Sequence, residues 1–401
     1  MNAPDAKPFN TQFSQLGSGP LSIESMTSSE YFELEREKIF KKSWLNVGRI
    51  EDLPKPGDYM VQSIAILQSS LIIVRGDDQQ IRAFHNVCRH RGNEIASGCG
   101  NAKGFSCDFH GWTYSNQGEL AFVPDEGQFF NLDKNKLGLV SLQCETWKGF
   151  IFINADPDPS QSLIEYLGGL GDQLKDFPFE QMVPMHRLEA EVNANWKVII
   201  DAFQESYHAG FVHRLTAGDM LDPDSDDPYM HLSSVRLFGP HRSASVPMNP
   251  EYVAQNRPAE MLSYQLASSL WLQEGAMEQQ FTPGTNPDDH KHWLFDINVC
   301  FPNFFIDVAN GWFFTYHFWP VAVDKTLWQY RFYMIPPADA GEAISREYSK
   351  LALRDLLRED LNTVEATQRG LMSGAIKEIH LSDQEVAVRH QYKVVEELVR
   401  G

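Results

Sequence analysis

Behind a Ser28 or Ser29 N-cap, with Glu30 in the first turn, Tyr31, Leu34, Ile39, Phe40 and Trp44 recur at helical spacing. The pattern predicts an amphipathic helix leading into a domain. Between residues 57 and 153 it changes to short β-branched and aromatic runs, such as Ser70–Val74 and Gly149–Asn154, separated by Gly, Asp and Asn turns. Such runs predict a small all-β domain. Asp156-Pro157-Asp158-Pro159-Ser160 sustains neither a helix nor a central strand, and marks the domain boundary. Beyond it, residues 195 to 212 read as a helix, and Phe301 to Pro336 as antiparallel strands with a hairpin turn at Ala309-Asn310-Gly311. Residues 343 to 372 read as a long helix with Leu351, Leu353, Leu356, Leu357, Leu361 and Val364 as its apolar stripe. The expected division is a mobile polar arm over 1–20, a helical lead-in over 21–50, a β domain over 51–155 and a second domain over 156–401. A sheet backed by helices makes that second domain, and the chain as a whole, α+β.

Composition narrows the function. The chain has 401 residues, 42% of them hydrophobic and 12% aromatic, which is enough apolar surface to fold. Its formal net charge is −20 and it has no Lys/Arg block. Nucleic acids and anionic membranes bind through counterion-releasing basic patches, so neither is the expected partner. The start of the chain has no apolar h-region, and no run reaches the roughly 18 apolar residues of a membrane span, so the expected address is the cytoplasm. Five cysteines, Cys88, Cys99, Cys107, Cys144 and Cys300, are too few and too odd in number for a disulfide scaffold. Three lie close together, which points to metal chemistry.

The first constellation reads Cys88-Arg89-His90 and then Cys107-Asp108-Phe109-His110, a Cys-x-His-x16-Cys-x2-His pattern. Two Cys and two His, each pair able to chelate from one turn, make a four-ligand site. A structural zinc site puts both Cys on one knuckle and both His on the other. Here each knuckle contributes one of each, which fits a two-iron cluster with thiolates on one iron and imidazoles on the other. With His90-Arg91-Gly92, His110-Gly111-Trp112-Thr113-Tyr114, Gly118 and Leu120, the segment resembles the Rieske iron-sulfur motif. Gly98-Cys99-Gly100 with Gly104 departs from a dinucleotide loop in spacing and context, and Cys99 reads as a packed thiol.

The second constellation is Asn195-Trp196-Lys197, then Glu205-Ser206-Tyr207-His208, then His213. On a helix, Glu205 and His208 share a face, and His213 converges from the helix end. Two neutral imidazoles and a carboxylate supply half of an octahedral Fe(II) shell and leave open positions. From Tyr31 to the C-terminus the chain resembles the α subunits of Rieske non-haem iron oxygenases, in the Asn-Trp-Lys lead-in, the Glu-x2-His-x4-His spacing and Phe301-Pro302-Asn303. The resemblance also covers Glu359-Asp360-x4-Glu365-x2-Gln368, and it implies Asp360 as third iron ligand, ahead of Asp355 and Glu359. It implies that Glu205, an Asp in many members, links His208 of one subunit to His110 of a neighbour.

The fold implied is an all-β Rieske [2Fe-2S] domain plus an α+β catalytic domain with a central antiparallel sheet flanked by helices. The cofactors implied are that cluster, held by Cys88, His90, Cys107 and His110, and a mononuclear Fe(II), held by His208, His213 and Asp360, with O2 as co-substrate. The chain carries no convincing NAD or flavin motif, so electrons are expected from a ferredoxin or an NAD(P)H-dependent reductase. A head-to-tail homotrimer is implied, with or without a β subunit. The aromatic run from Phe304 to Trp319 suits a small apolar or aromatic ring to be hydroxylated or dihydroxylated. The same aromatics suit a quaternary ammonium group, so oxidative N- or O-demethylation is the alternative. Outside oxygenases, the competing readings are a Rieske electron carrier and a zinc-stabilised binding protein.

Overall fold

A computed structural model describes residues 8–214, 216, 231–247, 249, 257–266 and 281–401. The chain forms two units, one of Arg36–Tyr166 and one that joins Met1–Glu35 to Leu167–Gly401.

The smaller unit is built on a seven-stranded antiparallel sheet. In chain order its strands are β1 (Leu45–Arg49), β2 (Asp58–Ile64), β3 (Ser69–Arg75), β4 (Ile81–His85), β5 (Cys99–Asn101), β9 (Ser141–Trp147) and β10 (Phe150–Asn154). They lie in the order β1-β10-β9-β4-β3-β2-β5. A separate three-stranded sheet holds β6 (Gly104–Ser106), β7 (Thr113–Ser115) and β8 (Leu120–Phe122). Ile72, Val74 and Phe84 of the large sheet and Phe105, Tyr114 and Leu120 of the small one belong to one apolar core. Cys88 and Cys107 are buried in that core. Cys99 is exposed on the edge strand β5, so it is no packed thiol.

The larger unit carries a second seven-stranded antiparallel sheet. Its strands are β11 (Val183–Val192), β12 (Ser234–Phe238), β13 (His241–Pro247), β14 (Trp293–Cys300), β15 (Phe304–Ala309), β16 (Trp312–Ala322) and β17 (Lys325–Met334), in the order β11-β17-β16-β15-β14-β13-β12. The hairpin expected at Ala309-Asn310-Gly311 pairs Ala309 with Trp312, and Gly311 supplies the left-handed backbone (φ 74°) that the turn requires. Its helices include α1 (Ser29–Glu35), α2 (Trp196–Asp201), α3 (Ala209–Val212), α4 (Pro258–Leu266), α5 (Ala340–Met372) and α6 (Val386–Arg400). Ser28 Oγ accepts the Tyr31 N–H, as its capping chemistry predicts.

The observed fold departs from the sequence pattern in three places. Residues 1–7 of the expected arm lie outside the described residues, but the rest of it is tied down. Asp383 accepts the Phe9 and Asn10 N–H groups at 2.8 and 2.7 Å, and Leu21–Ser22 pairs with Glu378–Ile379. The expected helix over 195–212 breaks after Asp201, where Gln204 turns inward and accepts from the buried Arg242 guanidinium at 2.6 Å. On α5, Leu357 and Val364 of the expected stripe are buried but Leu351 is 44% exposed, and the buried face also takes in Asp360, Gln368 and Leu371.

A buried ion pair explains why the lead-in to the second constellation is built as it is. Asn195 caps α2 by accepting the Lys197 N–H at 3.1 Å. Lys197 Nζ and Trp196 Nε1 then donate to the two carboxylate oxygens of Glu35 at 2.5 and 2.9 Å, and all three side chains are buried. Truncating one partner strands the other charge in an apolar interior. Lys197→Met is therefore expected to lower unfolding stability by about 3–5 kcal/mol. Glu35→Met in the same chain should recover most of it, as read from denaturant or thermal unfolding. An unchanged midpoint in the single variant would contradict this.

Candidate metal centres and cavity

The two cysteine loops of the smaller unit share one construction. Gly92 N donates to Cys88 O at 2.9 Å and Gly111 N to Cys107 O at 2.8 Å, while Cys88 N and Cys107 N donate to Asn93 O and Trp112 O. Each loop thereby closes on itself through a glycine of positive φ (84° and 71°). A Cβ at Gly111 would meet Pro124 Cγ at 3.0 Å. Asn86, fully buried, braces the first loop by accepting from Ile95 N and Ala96 N at 3.0 and 3.1 Å. Tyr114 OH accepts the Arg89 N–H at 2.8 Å and meets Cys88 Sγ at 3.4 Å.

Between these loops stand donors suited to iron and sulfide. Burial would raise the Cys107 thiol, but the Phe109 and His110 backbone N–H groups and the Cys88 and Asn93 side chains outweigh it and hold its pKa below the usual range. His90 and His110 stand edge to face with ring centres 4.6 Å apart, and His90 stacks on Trp112 at 5.0 Å. His110 Nδ1 is buried with no hydrogen-bond partner, as a nitrogen aimed at a metal should be. Among the described residues, the one set of three or more His, Cys, Asp or Glu with ligand atoms all within 4.8 Å of one another lies elsewhere. A single zinc, with Zn–S of about 2.3 Å and Zn–N of about 2.0 Å, would draw its four ligands inside that span. The spread of Cys88, His90, Cys107 and His110 fits a cluster of two metals.

That one set is His208, His213 and Asp360, all in the larger unit. His213 Nε2 stands 3.2 Å from His208 Nε2 and 3.0 Å from Asp360 Oδ1, which is 3.4 Å from His208 Nε2. Asp360 Oδ1 is buried and accepts no aligned hydrogen bond. The opposite nitrogens are each held by a glutamate: His208 Nδ1 meets Glu205 Oε1 at 2.5 Å, and His213 Nδ1 meets Glu359 Oε2 at 3.1 Å. A carboxylate on Nδ1 fixes the Nδ1–H tautomer and turns the Nε2 lone pair inward. Two inward lone pairs and an orphaned carboxylate oxygen make a facial set for a divalent metal with open positions.

The local fold explains each placement. Glu205 and His208 meet across a turn between α2 and α3 and not along one helix face, because Glu205 Oε2 also accepts the His208 backbone N–H at 3.1 Å. Asp360 is presented by α5, which is clamped to the loop before α2. Gln368 Oε1 accepts Asn195 N at 3.0 Å, and Glu365 Oε1 accepts Asn193 N at 2.9 Å. Of the neighbouring carboxylates, Asp355 is 47% exposed and paired with Arg354, and Glu359 holds His213 and accepts from Thr216 Oγ1 at 2.6 Å. The supporting role of Glu359 was not legible in the sequence; its only signal was its place beside Asp360.

A cavity of about 520 Å³ opens onto this set and is lined by His208, His213 and Asp360. Its sheet wall is apolar and mostly aromatic, with Phe295, Trp312, Phe314, Tyr316 and Phe332. Burial works against protonation of His208, but Asp360 and Glu205 outweigh it and push its pKa up to about 10. A metal binding at neutral pH must therefore displace a proton from His208.

Family models match both units: a "Rieske [2Fe-2S] domain" over residues 43–143, and a "Ring hydroxylating alpha subunit (catalytic domain)" over residues 179–401. The chain is 30% identical to the carnitine monooxygenase oxygenase subunit of Acinetobacter baumannii, over 86% of this chain and 84% of that one. It is 31% identical to the biphenyl 2,3-dioxygenase α subunit of Rhodococcus jostii, over 70% of this chain and 69% of that one. A solved quaternary ammonium Rieske monooxygenase, described for carnitine oxidation and inter-subunit electron transfer, superposes with a TM-score of 0.76 at 25% identity, covering 98% and 99% of the two chains.

Two outcomes are expected. Asp360→Ala should lose the mononuclear iron while the cluster's visible spectrum persists; unchanged iron content would refute its role. Metal uptake by the metal-free protein between about pH 7 and 9 should release protons from the histidine pair, measured in weakly buffered solution with a pH dye. Uptake without proton release would contradict the His208 assignment.

Proposed function

The chain belongs to the Rieske non-haem iron oxygenase α subunits, and within that family we propose that it is the oxygenase component of a monooxygenase acting on a quaternary ammonium compound. It is an oxidoreductase of the O2-dependent kind, with a [2Fe-2S] cluster and a mononuclear Fe(II) as its cofactors. In this reading Cys88 and Cys107 hold one iron of the cluster, His90 and His110 hold the other, and His208, His213 and Asp360 hold the mononuclear iron. The metal centres, when loaded, supply electron delivery and dioxygen activation. The protein's own groups supply position. Glu205 and Glu359 keep both imidazoles oriented, and the apolar cavity walls exclude water from the open metal face.

The observation that carries the substrate reading is the aromatic wall that runs up to the ligand set. A quaternary ammonium group has no N–H to donate, so it is recognised by ring faces rather than by directed hydrogen bonds. The same wall accommodates an apolar ring. The carnitine monooxygenase relative, matched over most of both chains, supports the cationic substrate. Hydroxylation of a C–H bond next to the quaternary nitrogen consumes one O2, two electrons and two protons, and releases one water. The carbinolammonium formed then expels the tertiary amine as its O–H proton departs, leaving an aldehyde.

Glu205 is placed for a second task. Its Oε1 holds His208, and an outward His110 N–H of a neighbouring copy is a chemically matched donor for the same carboxylate. This contact would join two subunits through a short electron path and favours a closed ring of three copies. The electrons enter from a separate ferredoxin or NAD(P)H-dependent reductase.

The test is turnover of the reconstituted system with carnitine, γ-butyrobetaine, choline and glycine betaine, against biphenyl and naphthalene. Oxygen uptake should be coupled to release of tertiary amine and aldehyde with a quaternary substrate. Coupled uptake only with the hydrocarbons, yielding ring diols, would overturn the reading.

A further inference from the structure

The sheet wall of the cavity contains one residue that its apolar surroundings do not explain. Alternation along β15 puts Phe305, Asp307 and Ala309 on the same face, opposite Tyr316, Phe314 and Trp312 of β16. Asp307 is 2% exposed and lines the cavity. Among the described sheet residues that do so, it is the only carboxylate. It accepts a hydrogen bond from Asn298 N of β14 at 3.2 Å. That bond needs an acceptor, which an amide or hydroxyl would also provide, and it does not need an ionisable group.

Resting on the substrate reading above, we propose that Asp307 is a specificity-determining residue, a counter-charge that selects a positively charged quaternary ammonium group over an uncharged group of the same shape. Phe314 and Tyr316 offer ring faces beside it, and a carboxylate among aromatic rings makes a cage for a methylated cation. Burial, together with the charge of Asp296, pushes the Asp307 carboxyl well above the usual range despite the Asn298 N–H. An arriving cation favours its ionised form. Tyr316, whose phenol burial pushes up, also feels both Asp307 and Asp360, so the cage lies within electrostatic reach of the metal ligands. An apolar ring would gain nothing from this carboxyl.

The experiment measures calorimetric binding to the holoenzyme of two probe pairs that differ only in charge. They are γ-butyrobetaine with 5,5-dimethylhexanoate, and choline with 3,3-dimethylbutan-1-ol. Wild type should prefer the cation of at least one pair by about tenfold or more. In Asp307→Asn, which keeps the acceptor for Asn298 N, that preference should collapse while affinity for the neutral isostere is retained. Asp307→Ser provides the same comparison should the amide variant not fold. A wild-type preference that survives in the variants overturns the inference and leaves the substrate reading standing. No wild-type preference in either pair overturns both.

Discussion

The larger unit sets one buried carboxylate oxygen against two imidazole nitrogens. Asp360 Oδ1, His208 Nε2 and His213 Nε2 come from a long helix and from a turn about 150 residues earlier, yet they meet within 4.8 Å. Such a set is costly to bury unless a cation joins it. The contacts around it resist its relaxation: Gln368 and Glu365 clamp the helix to Asn195 and Asn193, and Glu205 and Glu359 pin the rings. The Glu35–Lys197 pair fixes the start of the same segment from α1.

The parts of this arrangement that were legible in the sequence are those made by local chain geometry. Cys88-x-His90 and Cys107-x2-His110 each belong to one self-closed loop, so their spacing carries the chemistry directly. The β strands of the smaller unit, and in the larger unit those between Phe304 and Met334, followed from β-branched and aromatic runs. Asp360 was different: a solvated helix tolerates several carboxylates, and only burial and convergence separate it from Asp355 and Glu359. The role of Glu359 lay in a contact with His213 across 146 residues, which leaves no local trace. The arm over 8–20 looked mobile for the same reason, since its partner Asp383 lies at the other end of the chain. The helix break after Asp201 was hidden because its cause, Arg242 drawing Gln204 inward, is tertiary.

The cavity combines two demands that an ordinary core does not. Its aromatic wall excludes water, which strengthens whatever charge is placed inside. In the proposed reading, His208, His213 and Asp360 at one side and a lone sheet carboxyl in the wall would define where a cationic substrate is held. The same wall without that carboxyl would suit a neutral ring. Within one fold shared with relatives named for carnitine and for biphenyl, selectivity can therefore turn on few side chains.

The central claim is that two separate metal centres occupy one chain, a cluster in the smaller unit and a single iron in the larger. The most direct measurement is iron, zinc and acid-labile sulfide per chain on anaerobically purified protein, with a visible spectrum before and after dithionite. The account predicts about three irons and two sulfides, no zinc, and a visible band that bleaches on reduction. Zinc without sulfide, or iron that stops at the cluster's complement even after anaerobic loading with Fe(II), would contradict it.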